Sequence, residues 1–178
     1  MEQELIARIL SEEFDPNLIN ERGETLLHWA SSEGYLEIVK LLLSDYGEWV
    51  NPNIADNNGD TPLYWASMIG DLEMVKVLLY APGGGADPNI VNEKNESPLH
   101  KASVGGQLKI VKLLLTNGAN SNTIDANGDT PLDLARLYKH SEVIKLLENY
   151  FPSLQNLSMR SIRKYRIDVD KISPVLVF

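Results

Sequence analysis

Three histidines, a triple glycine and a surplus of carboxylates are the residues of this chain whose types could do chemistry. His28 and His100 share a local context, Thr25-Leu26-Leu27-His28 and Ser97-Pro98-Leu99-His100. As metal ligands they would need partners, but neither an HExxH pair nor a Cys/His spacing is present, so no metal site is expected. His140 falls in a turn and reads as a solvated turn residue. Gly83-Gly84-Gly85 has the freedom of a phosphate-cradling loop. It follows a helical stretch, not a strand, and no Lys-Ser/Thr pair comes after it, so it reads as a flexible loop. Carboxylates number 25 against 16 Lys and Arg. A catalytic pair needs enclosure to shift its pKa, and these acids fall on turns and polar faces. No GxSxG elbow occurs. The absence of cysteine removes thiolate nucleophiles, disulfides and zinc–thiolate sites together. No catalytic residue and no cofactor are expected.

The elements that carry these residues recur. Gly23-Glu24-Thr25-Leu26-Leu27-His28-Trp29-Ala30 returns as Gly59-Asp60-Thr61-Pro62-Leu63-Tyr64-Trp65-Ala66. It returns again as Asn95-Glu96-Ser97-Pro98-Leu99-His100-Lys101-Ala102 and Gly128-Asp129-Thr130-Pro131-Leu132-Asp133-Leu134-Ala135. Thr25, Thr61, Ser97 and Thr130 stand 36, 36 and 33 residues apart. A second marker keeps the same beat: Asp15-Pro16-Asn17, Asn51-Pro52-Asn53, Asp87-Pro88-Asn89 and Asn120-Ser121-Asn122. Such self-similarity is the mark of a solenoid. Between the markers run amphipathic stretches such as Ile38-Val39-Lys40-Leu41-Leu42 and Ile110-Val111-Lys112-Leu113-Leu114, with Lys on the outer side.

Each repeated residue type has a job. The Thr or Ser can N-cap a helix, and Pro62, Pro98 and Pro131 fit its first position, where a missing N–H costs nothing. The alanines suit close helix packing. Gly34, Gly70 and Gly105-Gly106 suit a left-handed residue after that helix; Lys139 holds the place in the last repeat, so a different turn is expected there. Asp56-Asn57-Asn58-Gly59 and Asp125-Ala126-Asn127-Gly128 have tight-turn chemistry. The first two repeats carry three extra residues, near Tyr46-Gly47-Glu48 and Pro82-Gly83-Gly84-Gly85, expected to bulge as loops.

With 43% hydrophobic and 23% charged residues the chain has a globular balance, not a disordered one. Its net charge of −9 makes nucleic acid an unfavourable partner. The longest uncharged run, Leu113 to Ile124, falls short of the ~20 apolar residues a membrane span needs. No secretory signal is visible at Met1-Glu2-Gln3-Glu4, so a soluble, cytoplasmic protein is expected.

These four signatures resemble the ankyrin-repeat family over residues 4 to 150. The resemblance implies an all-α solenoid of helix–turn–helix repeats with β-turn tips. Residues 1–19 would be an N-terminal capping half repeat, its apolar side being Leu5, Ile6, Ile9 and Leu10, and residues 20–150 four repeats. It also implies that the His of the signature ties its turn to the backbone of a neighbouring repeat. The groove-facing residues it implies are Trp29, Ser32 and Glu33; Trp65, Met68 and Ile69; Lys101 and Val104; Leu134, Leu137 and Tyr138. Of these, Trp65, Met68, Ile69 and Val104 would form an apolar patch suited to a protein target. The alternative is that Trp29 and Trp65 only fill space that Leu takes in ordinary repeats.

The composition changes after Pro152. Residues 151–178 carry a net +3, leaving −12 on residues 1–150. Ser153 can cap a helix, on which Leu154, Leu157, Ser158 and Ile162 share one narrow face. Ser153, Leu154, Ser158 and Ile162 resemble the Elongin C-binding half of a SOCS box, with Ser158 where Cys is usual. Repeats followed by such a box resemble the ankyrin-repeat and SOCS-box family. That resemblance implies an adaptor that binds Elongin C (with Elongin B) through the tail, recruits cullin five and holds a target on the repeats. The Leu-Pro-rich second half of the box is reduced to Ile172-Ser173-Pro174-Val175-Leu176, which weakens the cullin expectation. The other reading is a free-standing scaffold whose tail caps the last repeat. Fifteen Asn with many Ile and Lys suggest an AT-rich genome, and so a pathogen effector imitating a host adaptor in the host cytosol.

Overall fold

The computed structural model describes residues 15–45 and 47–150. The expected half-repeat helix at 4–14 and the whole 151–178 tail, with Leu154, Leu157, Ser158 and Ile162, lie outside the described residues. Among the described residues the chain forms eight helices and no strand. They are α1 (Leu26–Glu33), α2 (Leu36–Asp45), α3 (Pro62–Ile69), α4 (Leu72–Leu79), α5 (Pro98–Val104), α6 (Leu108–Thr116), α7 (Pro131–Leu137) and α8 (Ser141–Tyr150).

The odd-numbered helices start where their caps dictate. Thr25, Thr61, Ser97 and Thr130 each hold extended backbone and accept the N–H three residues on, at His28, Tyr64, His100 and Asp133. Pro62, Pro98 and Pro131 follow at once. The helices end at a turn in which Gly34 (φ 78°) and Gly70 (φ 88°) are left-handed. One expectation about this turn holds and one needs correction. In the Gly105-Gly106 pair only Gly106 is left-handed, Gly105 remaining right-handed. Lys139 keeps the left-handed conformation (φ 61°) instead of changing the turn, and His140 N–H bonds the Ala135 carbonyl as Tyr35 N–H bonds that of Ala30.

The odd helices pack on one another in one layer (α1 on α3, α3 on α5, α5 on α7), and the even helices in a second, less close layer. Leu27, Leu63, Leu99 and Leu132 project between the layers, with Ala30, Ala66, Ala102 and Ala135 where odd helices meet. Ile38, Met74, Ile110 and Val143 close the core from the even side. The result is one continuous apolar core shared by successive repeats, so each repeat is stable only through its neighbours.

The two glycine-bearing loops are not independent bulges. A side chain on Gly83 would collide with the Gly47 carbonyl, and one on Gly85 with the Leu79 carbonyl. The Gly-rich sequence there permits backbone to approach backbone.

Candidate functional site

Consecutive repeats are joined by three rows of polar contacts, and these fix where the groove-facing side chains stand. The first row runs through the turn tips. Gly59 N–H closes on Asp56 O and Gly128 N–H on Asp125 O, each at 2.9 Å; Asn95, left-handed at φ 56°, closes the third tip on Asn92. Tip then bonds tip: Asn57 N–H to Arg22 O (2.9 Å), Glu93 N–H to Asn58 O (2.9 Å), Ala126 N–H to Lys94 O (2.8 Å). Asp56 Oδ1 takes the N–H groups of Asn58 and Asp60, and Asp125 Oδ1 those of Asn127 and Asp129. Asp56, Asp60, Asp125 and Asp129 are therefore buried. The turn position read from the sequence holds, and the Asp56 and Asp125 carboxylates are engaged in holding their own turns.

The second row explains the Pro-Asn marker. Asn17, Asn53 and Asn89 accept the N–H of Asn51, Asp87 and Asn120 in the following repeat, at 2.9, 2.7 and 2.8 Å. Periodicity exposed the marker without revealing its partner.

The third row lies under the signature histidines. His28 Nε2 faces the Asp60 carbonyl (3.1 Å) and His100 Nε2 the Asp129 carbonyl (3.3 Å). A carbonyl only accepts, so each Nε2 donates. On the far side Nδ1 receives the backbone N–H of Thr25 or Ser97 at 3.0 Å. Both rings are thus neutral imidazoles, and burial pushes their pKa below the usual imidazole range despite the raising effect of the carbonyls. The repeat-to-repeat tie implied for these residues is present.

Tyr64 takes this slot in the second repeat and makes a different seam. Its hydroxyl donates to Glu96 Oε2 (3.0 Å), Asn92 Nδ2 donates to Asp60 Oδ1 (2.8 Å) and to Glu96 Oε2 (3.1 Å), and Lys101 Nζ donates to Glu96 Oε1 (2.6 Å). The Lys101 ammonium also lies 5.4 Å from the Tyr64 ring centre. Burial works against ionised Glu96, but the Lys101 and Asn92 hydrogen bonds hold its carboxyl below the usual range. Burial raises Asp60 and Tyr64. The side chains of Lys101 and Glu96 are only 20% and 18% exposed, so Lys101, a groove-facing candidate, is committed to this seam. His140 also departs from expectation. It is half-buried, and its Nε2 donates to Val104 O at 2.8 Å. Gln107 is its counterpart one repeat earlier. With its amide oriented to satisfy both ends, it donates to Ser67 O (2.6 Å) and accepts Gly70 N–H (3.2 Å).

On this scaffold the groove-facing candidates divide. Met68 (44%), Ile69 (46%), Leu137 (60%) and Tyr138 (52%) are exposed apolar side chains on or just beyond the ends of α3 and α7. Glu33 is exposed at the end of α1, and Val104 half-buried at the end of α5. Trp29 and Trp65 are half-buried. Trp29 packs on Tyr35 with ring centres 4.8 Å apart, and Trp65 meets Tyr64 edge-on at 5.9 Å. Each Trp therefore fills space and still offers an edge. Leu134, taken as groove-facing, is buried. One apolar feature on the other layer escaped the sequence: a hollow of about 370 Å³ between α2 and α4, lined by Leu43, Val77, Tyr80 and Pro82 and the Lys40 and Lys76 stems. Its residues come from two repeats whose juxtaposition no single segment encodes.

The arrangement offers a stiff backbone, internally satisfied turns and a row of exposed apolar groups, a preorganised surface for docking. Among the described residues no cluster of three or more His, Asp or Glu could hold a metal ion, and no helix is long and apolar enough to cross a membrane. No curated protein matches the chain. The family model "Ankyrin repeats (3 copies)" matches residues 2–92 and 70–156, together most of its length. The chain belongs to the ankyrin-repeat family, whose repeats are protein–protein interaction modules.

Proposed function

We propose that this chain is the substrate-recognition subunit of an Elongin B/C cullin-RING ubiquitin ligase. The repeats hold a protein target, and the tail docks on Elongin C. The observation that carries the target-binding half is the exposure of Met68 and Ile69 side by side at the end of α3. Trp65, Val104 and Tyr138 extend that surface, Trp29 and Glu33 border it, and Lys101, held by Glu96, lies at its edge. The tail half is supported by the spacing of Leu154, Leu157, Ser158 and Ile162 in the sequence. Burying Leu154 in an apolar pocket is worth about 1.5–3 kcal/mol; a hydroxyl at Ser158 weakens the contact unless it finds a partner. Cullin five recruitment depends on the shortened second half of the box. Catalysis belongs to the other subunits, and this chain supplies proximity. The compartment is the cytoplasm, or the host cytosol for a secreted effector.

The test is a pull-down of purified Elongin B/C by the full chain and by Leu154→Arg. Recovery by the wild type alone is expected; equal recovery, or none from either, removes the adaptor reading. A second reading, a free-standing scaffold whose tail caps the array, is favoured by the exposed Leu137 and Tyr138 of the last described repeat. It predicts that Leu154→Arg lowers the unfolding midpoint without any Elongin dependence.

A further inference from the structure

The inner face presents two parallel stripes of different chemistry. One follows the C-terminal ends of the odd helices: Met68 and Ile69 on α3, Val104 on α5, then Leu137 and Tyr138 at α7, most of them exposed. The other follows the tips before their N-terminal ends. The segments 20–24, 56–60, 92–96 and 125–129 contain eight carboxylates and two cations, Arg22 and Lys94, and a third cation, Lys101 of α5, pairs with Glu96. The even helices of the opposite layer hold five carboxylates and five cations. The acidity of the repeats is thus concentrated along one edge of the apolar face.

The burial of Asp56 and Asp125 does not cancel that edge. Each accepts neutral backbone N–H groups at Oδ1, so the turns keep their shape and the charge remains. Glu21 and Glu93 stand exposed at the same edge. The stripes are separated by roughly one inner helix of eight residues, about 12 Å at 1.5 Å per residue. That is close to the 10–12 Å diameter of an α-helix with its side chains.

From this match of width and charge we infer that the face takes a basic amphipathic helix of a partner protein, lying across the second to fourth repeats. Its apolar side rests on Met68, Ile69 and Val104, and Lys or Arg from its other side reach the tips. This rests on the target-binding reading above and adds the chemistry of the target. Apolar anchors supply most of the affinity of a helix in a groove. The acidic edge sets orientation and speeds encounter.

The probes are three helical peptides with the same leucine face and a polar face of lysine, glutamine or glutamate, titrated against the full chain by fluorescence anisotropy. The lysine peptide is expected to bind most tightly, to weaken as salt rises, and to lose about tenfold in affinity, the equivalent of ~1.4 kcal/mol, for Met68→Ala/Ile69→Ala. Glu21→Gln/Glu93→Gln should reduce its affinity about threefold at low salt and less at high salt. If the glutamine or glutamate peptide binds as tightly and responds to Met68→Ala/Ile69→Ala, the charge inference is overturned while the docking face stands. If no peptide responds to that double substitution, the face itself is wrong and both readings fall. All these substitutions are at exposed or edge positions, and an unchanged circular dichroism spectrum confirms the fold.

Discussion

The same position of the signature builds two kinds of seam. Between the first and second repeats, and between the third and fourth, a neutral imidazole bridges two backbones. Between the second and third, Tyr64 hands the job to an ionised network of Glu96, Lys101, Asn92 and Asp60. A histidine seam is compact and silent towards solvent, since His28 and His100 are 1% and 0% exposed. The tyrosine seam draws in Lys101 from the groove-facing set. Seam chemistry therefore decides which side chains remain for a partner: the second repeat leaves Met68 and Ile69 exposed, and the third has its one groove-facing cation already engaged.

The comparison breaks hardest at a histidine. His100→Ala removes the tie to Asp129 O, which keeps the Asp125 N–H, and leaves the Ser97 N–H buried without its Nδ1 acceptor. The expected loss is about 3 kcal/mol, an orphaned-group cost plus a cavity. Because coupling in a solenoid runs between neighbours, amide exchange should show α7 and α8 losing protection before α3 and α4. Equal loss along the array would mean that the seam is not the coupling element.

Acid separates the two kinds of seam next. Burial depresses the His28 and His100 pKa values, so the unfolded chain takes up protons that the folded chain refuses. Their contribution is complete above about pH 6.5 and falls as pH drops below it, by at most ~1.4 kcal/mol per pH unit for each ring. Glu96 is depressed too, but as an acid. Its contribution is complete above about pH 4.3 and is lost as pH falls through its lower folded value. Asp60 is raised and opposes it, gaining stability as pH falls. Urea midpoints measured from pH 7.5 to 3.5 should thus decline early through the histidines, and later through Glu96 with Asp60 partly offsetting. Glu96→Gln should remove most of the late decline and leave the early one.

How much of this could be read from residues alone follows from the range of each interaction. Thr25, Pro62, Gly34 and Leu63 act within a few residues of themselves, and their types announced the caps, turns and core. Asn53 announced a period but not its bond to Asp87, 34 positions away. Lys101 looked like a groove cation because Glu96 precedes the helix cap, where no helical spacing pairs the two. Asp56 and Asp125 were legible as turn residues but not as buried ones, because the tips stack and neighbouring repeats cover them. His140 was missed for the same reason, its partner being the Val104 carbonyl of the preceding repeat. The candidate face was legible as positions and not as exposures: Leu134 and Leu137 look alike in sequence, and only the packing of α7 buries one and leaves the other 60% exposed.

A milder cut isolates the tyrosine seam. Tyr64→Phe keeps the ring against Trp65 and under Lys101 and deletes one hydrogen bond to Glu96, which retains Lys101 and Asn92. The expected cost is about 1 kcal/mol in a urea titration at neutral pH. A cost near that of His100→Ala would show that the hydroxyl organises the whole network.

The sharpest exchange has the smallest effect at neutral pH. Tyr64→His installs in the second repeat the residue that the first and third already use. By repeat register Thr61 stands where Thr25 does, and the Glu96 carbonyl, which accepts Asn92 N–H as Asp60 O accepts Asp56 N–H, is the counterpart of the acceptor beneath His28. The new ring gains a backbone tie and loses the tyrosine hydroxyl bond and the Lys101–ring contact, so stability at pH 7.5 should change by less than about 1 kcal/mol. A third buried imidazole next to Glu96 should then add its own loss below about pH 6.5. The early acid decline becomes steeper than in the wild type, and the late one is unchanged. If the variant is as stable as the wild type at pH 7.5 yet shows no added slope, Glu96 is holding the new ring protonated. The slot's chemistry would then be set by the neighbouring repeat rather than by the residue in it.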